Sequence, residues 1–216
     1  MMEHKRVCVI AVHPDDETLG CGGTILKHIS NDDEVICVFV TAGNRAQRNL
    51  ISTVSKAYNF TKVFKFDLPE LDIADLSLNK IIPIVSEVFK TIEPQIIYIP
   101  NRSDVHSDHR QIFNAVLSCT TSFRYPFIEK ILMMEVISET DFSLALPEAA
   151  FIPNYYVDIT SVFERKLEIL KLYESEMLPY PQTRNESAVR ALNRYRGSQI
   201  GAEYAESFMA LKVVER

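Results

Sequence analysis

Four short apolar runs, Val7 to Val12, Val35 to Val40, Val63 to Phe66 and Ile96 to Pro100, constrain the fold of this chain more than any other feature. Each is rich in β-branched or aromatic residues and gives way to polar turn residues, the pattern of strands covered on both faces. Segments with helical spacing separate them. The clearest runs from Leu78 through Ile81, Val85 and Val88 to Ile92, with Pro83 marking a start or kink. Strand and helix therefore alternate, which predicts an α/β fold: one Rossmann-like domain over residues 1–216, its mostly parallel sheet flanked by helices. A fifth strand is predicted at Lys130 to Ile137 and a sixth at Tyr155 to Ile159. A helix then opens at Ser161, with Glu164 at capping-box spacing, and the tail from Asn185 to Leu211 reads as one or two more helices.

At 216 residues, with 47% hydrophobic and 24% charged residues, the chain has material for one well-buried core. Its net charge of -6 argues against a general nucleic-acid binder and towards a small-molecule partner. The four cysteines, Cys8, Cys21, Cys37 and Cys119, lack CxxC spacing and predict buried thiols in a reducing, cytoplasmic setting. The apolar run after "MMEHKR" is too short for a signal-peptide core or a membrane span.

Charge gathers just beyond two of the expected strands. After the first comes "HPDDE" within "AVHPDDETLGCGGT", and after the fourth comes "NRSDVHSDHR". In a doubly wound sheet those strands are neighbours at the point where strand order reverses, so the two clusters should meet in one crevice. His13, Asp16 and His109 would then supply three ligands to a divalent ion, leaving a fourth position for water. Zn2+ suits this donor set, and Fe2+ or Co2+ would also fit. Asp15 suits the general base that takes a proton from the water. His106 suits the group that stabilises an oxyanion and protonates a leaving amine. Asp108 is expected to accept a hydrogen bond from His106 and hold it cationic.

At these residues the sequence resembles the PIG-L/LmbE-like family of zinc-dependent N-deacetylases, which remove acetyl from N-acetylglucosamine units. "AVHPDDETLGCGGT" and "DVHSDHR" carry the resemblance, and "RYRGSQIGAEYAESF" is similar to the family's C-terminal segment. It implies the same assignment: His13, Asp16 and His109 on the metal, Asp15 as base, His106 at the oxyanion. Asp104 departs from members acting on thiol precursors, which place an oxyanion-assisting tyrosine there, so those substrates are not implied. The implied partner is an N-acetylated sugar, and self-association into a homo-oligomer is left open.

Each motif also has a plainer explanation. "HPDDE" and "HSDH" both suit helix caps, and it is their pairing that favours a site. "GCGGT" lacks phosphate-loop spacing and reads as a turn where helix and strand pack closely. Arg45 and Arg48, after the second strand, and Asn101, after the fourth, are candidate substrate contacts, with a solvated loop an equal alternative. His4 and His28 read as surface residues, and Arg184, Arg190, Arg194 and Arg196 as an exposed helix face. A signalling receiver, a catalytically inactive sugar binder and an amidase for another acyl-amine conjugate are the competing functions. The chain is nearly twice the length of a receiver, and its full set of site residues argues against lost chemistry.

Overall fold

The four apolar runs become the first four strands of one sheet in the computed structural model, which describes residues 4–215. These are β1 (Arg6–Ala11), β2 (Glu34–Phe39), β3 (Lys62–Lys65) and β4 (Ile96–Ile99). Helices α1 (Asp16–Ser30), α2 (Arg45–Tyr58) and α3 (Leu78–Ile92) connect them. Next come α4 (Ser107–Leu117), β5 (Lys130–Met134) and β6 (Tyr155–Asp158). The chain closes with α5 (Phe163–Leu170), α6 (Glu186–Ser198) and β7 (Ala205–Val213).

Among the described residues the sheet has seven strands in the order β3-β2-β1-β4-β5-β7-β6. The first five are parallel, and β7 runs antiparallel to both β5 and β6. Alternate residues of each strand enter opposite cores. From β1, Val7, Val9 and Ala11 pack towards α1, α2 and α5, while Cys8 and Ile10 pack towards α3 and α4. That double burial, about 1.5–3 kcal/mol for each large aliphatic side chain, is why the strands read as unbroken apolar runs. All four cysteines are buried thiols. No helix among the described residues is long and apolar enough to cross a membrane.

Several local expectations need correction. The tail holds one helix and then a strand, because Ala205 to Phe208 fill the slot between β5 and β6 and are buried there. The strand at Lys130 ends at Met134. Pro83 lies inside α3, which starts earlier, where the Ser77 hydroxyl accepts the Asn79 N–H at 3.3 Å. The helix expected at Ser161 opens at Phe163 after a short 3-10 turn, and Glu164 pairs with Arg190 at 2.7 Å instead of folding back as a cap. His28 is half-buried and partnered: its Nδ1 lies 2.6 Å from Asp33 and its Nε2 2.9 Å from the Tyr98 hydroxyl.

"GCGGT" does bring backbones close, but from within α1. The helix is kinked at Cys21 (φ -149°, ψ 24°). The kink leaves backbone groups without helical partners, and a buried ion pair satisfies them. Glu206 of β7 accepts the N–H groups of Gly23 and Thr24 at 2.8 and 2.7 Å, and Lys166 of α5 donates to the Leu19 carbonyl at 3.2 Å. Lys166 and Glu206 are themselves 2.8 Å apart. A Cβ on Gly23 would fall 2.8 Å from the Ile159 side chain, so the close approach depends on glycine there.

Candidate metal centre and active site

Strand order reverses between β1 and β4, and the loops that leave their carboxyl ends meet as the sequence implies. Asp15 is the N-cap of α1, with φ 133°, a conformation that L residues seldom adopt. Glu17 secures it. Its Oε2 accepts the Asp15 N–H at 3.2 Å, while Oε1 accepts the Thr18 and Tyr173 hydroxyls, each at 2.6 Å. Burial pushes the Glu17 carboxyl up to about 7. On the other loop His106 caps α4, accepting the Asp108 N–H on Nδ1 at 3.2 Å.

His13, Asp16 and His109 converge. His109 Nε2 lies 3.3 Å from His13 Nδ1 and 3.2 Å from Asp16 Oδ2, and His13 Nδ1 lies 4.0 Å from Asp16 Oδ2. Ligands held about 2.0–2.1 Å from a tetrahedral ion are about 3.3 Å apart, so the spacing fits a small dication. The electrostatics fit as well. Burial alone would raise Asp16, yet His109 and His13 hold its carboxyl well below the usual range. Burial opposes a charge on His109, but Asp16 and Asp104 on its two sides raise its pKa well above the ordinary value.

A second set of donors, His13, His106 and Asp108, overlaps the first through His13, whose Nε2 lies 3.5 Å from Asp108 Oδ2. What distinguishes the first set is support from behind. Asp104, fully buried, accepts the His109 Nδ1–H at 2.8 Å and the Thr140 hydroxyl at 2.7 Å. That bond leaves His109 Nε2 free as a donor atom, the arrangement usual for a metal-ligating histidine.

Asp15 is 1% exposed, and burial together with Asp16 raises its carboxyl well above the usual range, against the pull of Arg184. Arg184 donates to Asp15 Oδ2 at 2.9 Å, leaving Asp15 Oδ1 with no hydrogen-bond partner. The same guanidinium donates to Glu139 at 2.9 Å and lies 3.5 Å from Glu176. A pocket of about 90 Å³ opens beside these groups, lined by His13, Asp15, His106, Glu139 and Arg184 among others.

Two expectations about side chains change. Asp108 does not accept from His106: its carboxylate takes the Leu71 N–H at 2.9 Å. Burial, then His13 and His109, lower the His106 pKa, so the ring is not held cationic, and the Asp108 N–H on Nδ1 leaves its proton on Nε2. Of α2, Gln47 lines the pocket, whereas Arg45 is exposed and Arg48 turns to Asp67 at 3.2 Å. Asn101 is buried in the β4 loop, its carbonyl accepting the Asp104 N–H at 3.3 Å.

The sequence analysis missed Glu139 and read Arg184 as part of an exposed helix face, whereas Arg184 precedes α6 in a loop and is half-buried against Asp15. Glu139 follows β5, the next strand along from β4, so placement at the same carboxyl edge was an available signal. Arg184 had none, because it reaches the site from a loop far away in sequence.

Comparison with known proteins agrees with this architecture. A diacetylchitobiose deacetylase of Thermococcus kodakarensis is 25% identical over 223 aligned positions, covering 94% of this chain and 81% of that protein. The crystal structure of the conserved protein TT1542 from Thermus thermophilus superimposes with a TM-score of 0.78 at 20% identity, covering 98% of this chain and 97% of that one. The N,N'-diacetylchitobiose deacetylase of Pyrococcus horikoshii, solved with an inhibitor, gives 0.77 at 21% identity, covering 97% and 85%. The PIG-L family model, described as GlcNAc-PI de-N-acetylase, matches residues 8–120. With both acidic loops inside that match, the chain belongs to the PIG-L family.

Proposed function

We propose that this protein is a metal-dependent hydrolase that removes the acetyl group from an N-acetylglucosamine-type sugar or its conjugate, releasing acetate and a free amine. The observation that carries this reading is the set of three donor atoms of His13, Asp16 and His109, 3.2–4.0 Å apart, beside a buried carboxylate with one free oxygen. The deacetylase relatives support it. A divalent ion held by those three residues, zinc by the chemistry of the donors, would polarise the amide carbonyl and bring the pKa of a coordinated water to about 7.

The chain's own residues do the rest. Asp15 takes a proton from the attacking water on Oδ1, while Arg184 fixes the carboxylate through Oδ2. Burial raises its pKa above the ordinary carboxylate value, which strengthens it as a base. His106 donates its Nε2–H to the carbonyl oxygen as that oxygen gains charge. The C–N bond then breaks, and the proton held by Asp15 goes to the leaving nitrogen. An amidase acting on another acyl-amine conjugate would use the same groups.

The test is acetate release from a panel of N-acetylated glycosides and sugar nucleotides, run before and after chelation. Release from at least one N-acetylglucosamine derivative, abolished by chelator and restored by added zinc, is the expected result. Chelator-resistant release would remove the ion from the mechanism.

A further inference from the structure

The pocket beside Asp15 carries more negative charge than the proposed reaction uses. Glu70, Glu139 and Glu176 line it together with Asp15, and the only guanidinium among its lining residues is that of Arg184. Glu139 stands apart from the other two glutamates. It is 6% exposed, its Oε1 is held by Arg184 at 2.9 Å, and its Oε2 is buried with no hydrogen-bond partner. The backbone around it is fixed as well: the Glu139 carbonyl accepts the Val105 N–H at 3.1 Å, and its own N–H donates to Val136 at 3.1 Å. A buried carboxylate oxygen in a rigid loop, facing a polar pocket, lacks a donor that a ligand would supply.

The geometry points to Glu139 as a substrate-recognition residue that accepts a hydrogen bond from a sugar hydroxyl or amine, so that the site takes neutral or cationic amino sugars and rejects phosphorylated ones. The identity of the ligand as an amino sugar rests on the deacetylase reading. The charge selection rests on the pocket itself. A ligand phosphate placed there would meet three glutamates with Arg184 already engaged by two of them and by Asp15, whereas an ammonium or hydroxyl would complete the bonding of Glu139 Oε2. Arg184 holds Glu139 in place, so the two act as one recognition unit.

Calorimetric binding of glucosamine and of glucosamine 6-phosphate to the zinc-loaded full chain tests this without requiring turnover. The wild type is expected to bind glucosamine at least about tenfold more tightly than its 6-phosphate. Glu139→Gln, which keeps an oxygen for Arg184, should weaken glucosamine binding about tenfold, the usual scale for a charged hydrogen bond, and narrow the gap between the two ligands. Equal wild-type affinities, no binding of either ligand, or unchanged glucosamine affinity in a folded Glu139→Gln protein would each overturn the inference. The wild-type comparison decides even if the variant does not fold. Acetate release is read separately: charge-selective binding without acetate release overturns the deacetylase reading and leaves this one standing.

Discussion

Asp15→Asn is expected to lower kcat by about 10²–10⁴-fold, the range that a positioned general base contributes, while zinc stays at one ion per chain. Asparagine is the informative replacement. It is nearly isosteric with aspartate, so the unusual backbone at this position meets a side chain of the same shape, and its side-chain oxygen can still face Arg184. What it loses is the basic oxygen, so a change in rate is not confused with collapse of the loop. Acetate release by the zinc-loaded variant, with zinc measured on the same sample, checks the prediction. Turnover within a few fold of wild type would show that another group takes the proton.

The second large effect is on stability. Lys166→Met would leave Glu206 buried and without its cation, and breaking a buried pair from one side costs about 3–5 kcal/mol. The position makes this costly. Glu206 is 2% exposed and also holds the two N–H groups freed by the α1 kink. Because α1 begins with Asp16 and is capped by Asp15, loosening the kink should disturb the site as well. Denaturant unfolding of Lys166→Met, Glu206→Gln and the double variant forms a cycle in which the double should cost clearly less than the sum of the singles. Additive costs, or a Lys166→Met protein within about 1 kcal/mol of wild type, would show that the pair is not a clamp.

These two residues also show where the sequence could be read and where it could not. Val7 to Val12 and its three companions announced themselves because strands buried on both faces are apolar throughout, and the turns after β1 and β4 carried charge that a plain turn does not need. Residues 205–213 gave the opposite message: Ala205, Glu206, Met209, Ala210, Leu211 and Lys212 are helix formers or neutral. They form a strand because the slot between β5 and β6 requires one, and burial there outweighs local preference. Nothing local marks Glu206 for burial, since its partner lies 40 residues away.

The candidate site divides along similar lines. His13, Asp15, Asp16, His106 and His109 stood in two short motifs whose meeting followed from strand order alone. Glu139 could be placed only by its position after β5, and Arg184 reaches the pocket through a loop whose path no periodicity records, 169 residues from the aspartate it holds. Arg45 and Arg48 lie in the first turn of α2, where a side chain can face the crevice or the solvent, and Gln47 takes the inward position. Asp104 has work of its own in orienting His109.

In the proposed mechanism His13, Asp16 and His109 share one ion. Anomalous scattering at the zinc edge, measured on crystals of the zinc-loaded protein, tests it most directly. The account predicts one peak per chain bounded by those three side chains, and no peak after His109→Ala. A peak seated instead on His13, His106 and Asp108, or no peak at all in an active protein, would contradict it.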